Sequence, residues 1–539
     1  MTSISSEDIE EVHLFVLVHG LWGNPNHLDT IEKVLLRAVS DVSNERIVTI
    51  KPSSFRFWKT YDGIQRCSEL VIADIFYEIE ALMQTNKYKV TQFSMIGYSL
   101  GGLISRYVIG RLYGMGFFKE VRPVFFSTFA TPHVGSRFYK NKLFDKFANT
   151  FGPVLFGKTG LQLFLVDSEK LLVQMADPDS DYFKGLESFQ TRILMANIKN
   201  DGTVAFYTSF ITNYSPFDRL DYVDVVYFED LPTAIIGTLA VKPKFVDLQN
   251  CQKLTSTQNH HGNVQEETSV IRSNKLLRYS ILLMAATVIL PFHIPMVLTV
   301  TFCVSVYSQV KIKLLRPIKL DEHWTKVRDS VYRGEAVDSE NAIQGEARRR
   351  ERLKLRRQES IRGDTSNITE KAMNGVMLAE QNFNARQAHV YEDDISEEAT
   401  SSEQELVDSE AADSSDFEEW ARPKGSLLGK FLRYKQKMKI SFEENDQIID
   451  RHASALQSKD DSKVGLFSTE CKLPDYPEKD LIIKNLNKLS WFKIPVYFDL
   501  FNAHDGVVAR SGGFKNPRAT STLFLWGSIL RKNIKQKEA

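Results

Sequence analysis

The stretch that indicates the fold most directly is Phe93-Ser94-Met95-Ile96-Gly97-Tyr98-Ser99-Leu100-Gly101-Gly102. It is an apolar run that leads into a helix-like segment. Its Gly-x-Ser-x-Gly core is the pattern of a nucleophile elbow, a tight strand-to-helix turn that holds a serine hydroxyl above a sheet. Glycine is needed on both sides of the serine because neighbouring backbone and the following helix would clash with a Cβ atom. Three fixed positions also occur by chance, so the pattern needs support from elsewhere in the chain.

A second apolar run, Leu14–Val18, predicts a strand that is buried on both faces, as central strands of parallel sheets are. His19-Gly20 follows it directly and opens a loop. An α/β-hydrolase places one half of its oxyanion hole in this loop, so the backbone N–H groups of Leu21 and Leu100 are the predicted donors. No Gly-x-Gly-x-x-Gly follows the strand, and we therefore predict no dinucleotide cofactor.

Composition restricts the class of protein. The chain has 539 residues, enough for two to four domains, and 68 basic against 68 acidic residues, so overall charge indicates no nucleic-acid partner. Its cysteines are widely spaced, without zinc-like grouping, which favours a reducing compartment and no metal: Cys67, Cys251, Cys303 and Cys471. The polar start, Met1–Glu11, lacks the features of a signal peptide, so we expect the catalytic part to face the cytosol.

Apolar strand-like runs alternate with helical patterns over residues 12–240, which predicts a mostly parallel α/β sheet. Folded character returns over residues 475–535, where the last strand of the same fold is expected. The candidate strands are Phe15–Val18, Ile47–Ile50, Phe93–Ile96, Val121–Phe126, Arg192–Ala196 and Ile494–Leu500.

A polar stretch, residues 320–472, separates the two parts. Arg348–Arg357 is basic, whereas Glu392–Glu419 contains thirteen acidic residues and no Lys or Arg. Such a segment buries too little apolar surface to offset the entropy of ordering, so we predict a charged, disordered insert. The basic block is most simply a solvated helix or linker. A nucleic-acid arm, a nuclear signal and a lipid-headgroup contact are alternatives, of which headgroup contact best fits the apolar segment upstream.

A serine hydroxyl needs a histidine to take its proton, and a carboxylate must orient that histidine. In α/β-hydrolases the histidine comes last in the chain. Most of the eleven histidines precede Ser99 or fall in polar linkers. His504 instead follows the predicted strand Ile494–Leu500, as the triad geometry requires.

The acid is predicted at Asp201, in a turn just beyond the strand Arg192–Ala196. Ligand-binding groups of open α/β sheets gather at the carboxyl ends of strands. An Asp-Gly turn with no chemical role is the simpler interpretation of this position, and Asp167 and Asp177 are competing acids. Asp505 directly follows the histidine in the chain, and we do not expect it to reach the ring nitrogen.

Together these motifs resemble the fungal putative serine esterases, a branch of the α/β-hydrolases that includes a lipid-droplet phospholipase. The resemblance covers roughly residues 12–230 and 475–535. It implies the triad Ser99, Asp201 and His504, and hydrolysis of acyl esters of glycerophospholipids on lipid droplets. We predict no cofactor and no metal. The motifs that carry it are Leu17-Val18-His19-Gly20, Tyr61-Asp62-Gly63, Gly97–Gly102, Ala130–Ser136, Asn200-Asp201 and Ala503-His504-Asp505.

The segment Tyr279–Tyr307 contains 29 residues without a charge, long enough for one transmembrane helix. Pro291 and Pro295 interrupt its centre, and basic residues flank both ends. A single pass would also place His504 across the membrane from Ser99. We therefore predict a membrane hairpin over residues 279–307 with two short arms. Such a hairpin suits a lipid-droplet monolayer or one membrane leaflet, including that of the endoplasmic reticulum.

A buried helix pair or a cap on the hydrolase is the alternative for this segment. Residues 143–165 are the better candidate for an apolar cap over the site, because aromatic and leucine side chains recur there. A monolayer-anchored phospholipase is the leading functional hypothesis. A neutral-lipid or monoacylglycerol lipase on the same surface and a catalytically idle lipid-droplet scaffold remain alternatives. The chain indicates no specific protein partner.

Overall fold

We describe the protein from a computed structural model. It describes residues 9–83, 88–139, 143–218, 223–236, 239–253, 290–314, 318–332, 438–439, 449, 451–452, 456, 464–498, 500 and 502–538.

Six parallel strands form the main sheet, in the order β11-β5-β4-β3-β1-β2. All of the strands predicted from the sequence are present in it. The strands of this sheet are β1 (Glu10–Val18), β2 (Arg46–Ile50), β3 (Tyr88–Tyr98), β4 (Arg122–Phe129), β5 (Thr191–Asn197) and β11 (Phe492–Val496). Five short strands form two smaller sheets: β6 (Val223–Asp224), β7 (Ala234–Ile236), β8 (Leu239–Val241), β9 (Gln252–Lys253) and β10 (Met438–Lys439).

Helices cover both faces of the main sheet. The described helices are α1 (Asp29–Val39), α2 (Ile64–Met83), α3 (Leu100–Gly114), α4 (Leu143–Leu155), α5 (Gly157–Leu163), α6 (Leu171–Gln174), α7 (Asp181–Glu187), α8 (Phe206–Phe210), α9 (Leu290–Leu314), α10 (Leu320–Val331), α11 (Pro477–Leu486), α12 (Ala503–Gly506) and α13 (Pro517–Glu538).

Strand β1 shows why the sheet needs helices on both sides. Leu14 and Val16 pack into the core that contains α2 and α3, whereas Phe15 and Leu17 pack into the core that contains α1 and α13. Alternate side chains of a strand point to opposite faces, and all four are fully buried. A continuous apolar run is therefore required here, as the sequence predicted.

The C-terminal segment completes the sheet begun by the N-terminal one. Ile494 of β11 pairs with Met195 of β5 in parallel register. Beyond the strands, the N–H of Ala503 donates to the carbonyl of Asn200 at 3.0 Å. The loop after β11 and the loop after β5 consequently lie side by side at the carboxyl edge, although some 300 residues separate them in sequence.

The predicted membrane hairpin is wrong in the part that the structure describes. Residues 290–314 form one helix, α9, which continues through the expected turn at Phe292-His293-Ile294. Pro291 lies in the first turn, where a missing N–H costs no helical hydrogen bond, and Pro295 lies only one turn further on. Residues 279–289, most of the first predicted arm, lie outside the described residues. Among the helices that are described, none is both long and apolar enough to span a membrane.

The insert predicted to be disordered from residue 320 begins instead with α10. Leu320, Trp324 and Val327 are buried, and the Trp324 ring stacks on Phe76 of α2 at 5.6 Å between centroids. These three positions share one helix face, and burying them stabilises the helix despite its charged sequence. The rest of the insert, including both charge blocks, lies outside the described residues up to position 437.

Candidate active site

The turn after β3 has the geometry of a nucleophile elbow. Ser99 has φ of 56° and ψ of −128°, a conformation that L-residues rarely adopt. A Cβ atom on Gly97 would come within 2.4 Å of the Gly102 Cα, so the turn is too tight for any side chain there. Close packing therefore holds the serine in a strained conformation at the start of α3, as the sequence predicted.

The two strands that flank this point are β1 and β3. The chain leaves β1 toward β2 on one side and leaves β3 toward β4 on the other, which makes this the topological switch point of the sheet. A Cβ on Gly20 would lie 2.6 Å from the Ser99 Cβ. The loop after β1 therefore passes directly against the serine.

His504 lies between Ser99 and Asp201. Its Nε2 is 2.9 Å from Ser99 Oγ, and its Nδ1 is 2.9 Å from Asp201 Oδ2. Because a carboxylate only accepts, Nδ1 carries the proton and Nε2 is free to accept one from the serine hydroxyl. The structure thus brings together all three residues predicted from the sequence. Their side chains are almost completely buried.

The Asp201 carboxylate is oriented by more than the histidine. Its Oδ1 accepts from the N–H groups of Thr203 and Val204, at 3.0 and 2.8 Å. Its Oδ2 accepts from the Asn197 amide at 2.9 Å, and that amide also donates to the Ala503 carbonyl at 3.1 Å. Asn197, the last residue of β5, therefore links the acid loop to the histidine loop. Sequence reasoning missed it.

Burial and charge shift the pKa values of Asp201 and His504 in opposite directions. Burial raises the pKa of the Asp201 carboxyl, but the charge of His504 and the hydrogen bonds from His504, Val204 and Asn197 lower it below its ordinary value. Burial likewise lowers the pKa of His504, but the Asp201 charge and hydrogen bond raise it above its ordinary value. Asp201 is therefore charged at neutral pH, and His504 is a stronger base than a free imidazole.

The predicted oxyanion donors belong to the two segments that meet at the serine, the loop after β1 and the start of α3. Leu100 is the first residue of α3, where N–H groups have no partner within the helix. The Gly20 carbonyl accepts from the Gly23 N–H at 3.1 Å and from His19 Nδ1 at 3.0 Å. The Leu21 N–H belongs to the same rigid peptide plane and points the opposite way, so these bonds fix its direction.

His19 keeps this role over a wide pH range. Burial is the main cause that lowers its pKa, to about 4. The ring is therefore neutral, with its proton on the nitrogen that faces the Gly20 carbonyl.

The competing acids serve local turns. Asp167 accepts from the Leu171 N–H at 2.8 Å, and Asp177 accepts from the Asp179 N–H at 3.0 Å. Asp505 accepts from the Tyr98 hydroxyl at 3.0 Å and forms an ion pair with Arg510.

Tyr98 is a residue that the sequence pattern left unassigned. It is the variable position before the serine of the elbow, and its ring centroid lies 5.1 Å from that of His504. Its bond to Asp505 holds the start of α12, which carries the histidine, against the elbow. Because the two segments are far apart in sequence, no local pattern reports this contact.

A cavity of about 450 Å³ adjoins the acid side of the site. Asp201, Asn197 and Tyr207 line it, together with Arg137 and Phe138 from the loop before α4.

The predicted cap, residues 143–165, forms α4 and α5. The described residues contain no group of three or more His, Cys, Asp or Glu side chains able to bind a metal ion.

Comparison with known proteins agrees with this geometry. Residues 8–213 match the family model described as "Putative serine esterase (DUF676)". Putative lipase C4A8.10 of Schizosaccharomyces pombe is 29% identical over 273 residues, which cover 48% of this chain and 34% of the relative. Putative lipase ROG1 of Saccharomyces cerevisiae is 31% identical over 227 residues, 40% of this chain and 30% of the relative. The chain thus spans about a third of the length of these relatives.

Two solved bacterial structures also align with part of the chain. The putative cell surface hydrolase from Lactobacillus plantarum WCFS1 is 20% identical, with a TM-score of 0.23, over 38% of this chain and 74% of its own. A lipase-esterase related protein from Clostridium acetobutylicum ATCC 824 is 17% identical, with a TM-score of 0.17, over 33% of this chain and 59% of its own. Residues 8–213 are thus similar to the putative serine esterases, and the parallel sheet with its nucleophile elbow has the architecture of an α/β-hydrolase.

Proposed function

We propose that the protein is a serine hydrolase that cleaves acyl ester bonds of glycerophospholipids at the surface of lipid droplets. The observation that carries the proposal is His504, which contacts the Ser99 hydroxyl and the Asp201 carboxylate through its two ring nitrogens. This arrangement activates a serine for attack on a carbonyl carbon. The family match supports an esterase, and the lipid surface is argued below from exposed side chains.

In the proposed reaction, Ser99 Oγ attacks the ester carbonyl while His504 Nε2 takes its proton. The N–H groups of Leu21 and Leu100 stabilise the negative oxygen of the tetrahedral intermediate. The intermediate collapses, the acyl group stays on Ser99, and His504 returns the proton to the departing lysophospholipid alcohol. Water activated by the same histidine then releases the fatty acid. Asp201 stabilises the imidazolium form throughout.

An exposed apolar face lies on the cap and supports a lipid surface as the working environment. Phe147 and Phe151 of α4 are 54% and 50% exposed. Helix α9 packs beside α4, and the Ser305 hydroxyl donates to the Val154 carbonyl at 2.5 Å. On the outer side of α9, one stripe of apolar residues at four-residue spacing is at least 44% exposed: Phe302, Val306, Val310 and Leu314.

We refer to these side chains of α4 and α9 as the outer apolar face. Proteins that work in water rarely expose this many large apolar side chains on two adjacent helices without a partner. Lys146 and Lys313 are exposed on the same two helices. Apolar side chains that enter the acyl region and lysines that reach phosphate groups are the combination expected of a helix lying in a lipid interface.

This face replaces the predicted hairpin as the proposed contact with lipid. A helix that lies on the surface needs no second arm and no crossing of the bilayer. It also keeps Ser99 and His504 on one side, as their hydrogen bond requires.

The test is to incubate the purified wild type and Ser99→Ala with separate emulsions of phosphatidylcholine and triacylglycerol and to identify the products by mass spectrometry. We expect the wild type to release fatty acid and lysophosphatidylcholine, and Ser99→Ala to release neither. Release from triacylglycerol alone would establish the neutral-lipid lipase instead. No release from any acyl ester would leave the idle scaffold.

A further inference from the structure

The motif Tyr61-Asp62-Gly63 takes no part in the triad, yet its carboxylate is buried. The Asp62 side chain is 3% exposed, and helix α9 supplies partners to both of its oxygens. The Ser308 hydroxyl donates to Oδ1 at 2.6 Å, and Lys311 Nζ donates to Oδ2 at 2.7 Å. A buried carboxylate requires such partners, so the position of α9 on the hydrolase is fixed at this residue.

The short helix before Asp62, the 3-10 helix Phe57–Tyr61, is bonded to the oxyanion loop. The Trp22 N–H donates to Thr60 Oγ1 at 3.2 Å, and the Trp22 indole donates to the Tyr61 hydroxyl at 2.6 Å. The Phe57 N–H donates to the Gly23 carbonyl at 3.1 Å. These bonds hold the two residues that follow Leu21, the proposed oxyanion donor, and Trp22 has a positive φ of 53° that only such contacts maintain.

We propose that Asp62 is a positioning residue that couples the docking of α9 to the geometry of the oxyanion hole. The inference rests on the proposed function, because it takes the Leu21 N–H as an oxyanion donor. The buried contacts to Asp62 and the outer apolar face lie on opposite sides of α9. The helix that would touch lipid therefore also holds the loop that stabilises the transition state.

The coupling has a physical basis in the distances involved. If the hydrogen bonds from Lys311 and Ser308 are lost, the Asp62 carboxylate must move to where water can solvate it, and the 3-10 helix moves with it. Thr60 and Tyr61 then carry Trp22 and the Leu21 peptide away from their positions. An oxyanion donor must lie within hydrogen-bond distance of the developing charge, and a displacement of about 1 Å costs on the order of a hundredfold in rate.

The experiment compares Asp62→Asn and Lys311→Met with the wild type on a soluble short-chain ester, without lipid. Titration with a fluorophosphonate counts active sites, so that kcat is expressed per reactive serine. The dissociation constant of a boronic acid that mimics the tetrahedral intermediate reports the oxyanion hole itself. We expect kcat per site to fall roughly ten- to a hundredfold, KM to change little, and the boronic acid to bind more weakly by a similar factor.

The matched control is Lys319→Met, which removes an exposed lysine whose partner is Glu322 and whose side chain is 76% exposed. It should leave both readouts unchanged. Lys311→Arg, which keeps the charge, should restore most of the lost kcat.

The inference is overturned if Lys311→Met has fewer titratable sites but wild-type kcat and boronic acid affinity per site, because that is a purely structural effect. If Lys311→Met does not fold, Ser308→Ala decides the matter. It removes one hydrogen bond and keeps the ion pair, and a smaller loss in the same two readouts is expected, whereas unchanged values contradict the coupling. A wild type without any titratable serine would instead refute the proposed function.

Discussion

The surroundings of Ser99 and the outer apolar face differ in what holds each of them in place. Ser99 is 5% exposed, its strained backbone is held by close packing at the glycines, and its hydroxyl contacts His504, which in turn contacts Asp201. Phe147 and Val310 of the face are 54% and 55% exposed. The site is determined by contacts inside the molecule, whereas the side chains of the face remain exposed among the described residues. Under the proposed function, chemistry and lipid contact therefore occupy different parts of the molecule, and α9 both carries part of the face and contacts Asp62.

The largest expected effect comes from substitutions in the proposed triad, which should remove catalysis without changing lipid binding. We expect His504→Ala and Asp201→Asn each to lower kcat by at least a thousandfold on a soluble ester, and the double variant to lose little more. Members of a triad act as a unit, so their losses do not add. Steady-state kinetics with active-site titration gives the values.

Binding of all three proteins to phosphatidylcholine vesicles should remain that of the wild type, since none of these side chains lies on the outer face. Losses that multiply in the double variant would show that the two residues act separately.

The reciprocal prediction concerns the face. Phe147→Ser combined with Phe151→Ser should weaken binding to phosphatidylcholine vesicles by tenfold or more, because each buried aromatic side chain contributes about 2 kcal/mol or more to transfer from water. Vesicle flotation measures the bound fraction. Turnover of a soluble ester should fall far less than binding.

The control for the face is Leu481→Ser on α11, which removes a side chain that is 44% exposed and lies outside the face. Equal losses of vesicle binding in the control and in the double variant would contradict a localised face.

A third prediction uses the raised pKa of His504. The neutral ring is the proton acceptor, so kcat/KM should increase with pH and level off above an apparent pKa higher than the ordinary 6.5 of histidine. In Asp201→Asn the charge that raises this pKa is gone and burial, which lowers it, remains. The residual activity should therefore titrate at lower pH than in the wild type. A profile that shifts upward in this variant would show that Asp201 does not pair with the histidine.

The smallest predicted effect is on stability. The φ of 56° at Ser99 is costly for any residue with a Cβ atom but not for glycine. Ser99→Gly should be more stable than Ser99→Ala by roughly 1–2 kcal/mol in urea unfolding, and both should be inactive. Equal stabilities would mean that the elbow is not strained.

The elbow and the geometry of the proposed triad were predictable from the sequence because their constraints are local or follow from chain order. Steric crowding around Gly97 and Ser99 acts over a few residues, and His504 follows the last strand. Helix α9 was not predictable from the sequence, because its prolines suggested a turn. The hydropathy of the segment also does not indicate that Ser308 and Lys311 face the buried carboxylate of Asp62.

Helix α10 illustrates a signal that was present but outweighed. Leu320, Trp324 and Val327 have the spacing of one helix face, yet the charged residues around them resemble the rest of the insert. That face becomes stable as a buried surface because Trp324 stacks on Phe76 of α2, a contact that the local sequence does not reveal. The contact between Tyr98 and Asp505, in contrast, had no signal in the sequence. It joins the end of β3 to the segment after β11, and neither segment has a pattern that indicates it.

Covalent labelling examines the proposed nucleophile without assuming any substrate. The wild type and His504→Ala are treated with a fluorophosphonate, digested, and analysed by mass spectrometry for the modified residue. We predict stoichiometric modification of Ser99 in the wild type, and labelling slower by at least a thousandfold in His504→Ala, because the histidine removes the serine proton. Labelling of another serine, or equal rates in the two proteins, would contradict the assignment of Ser99 as a nucleophile activated by His504.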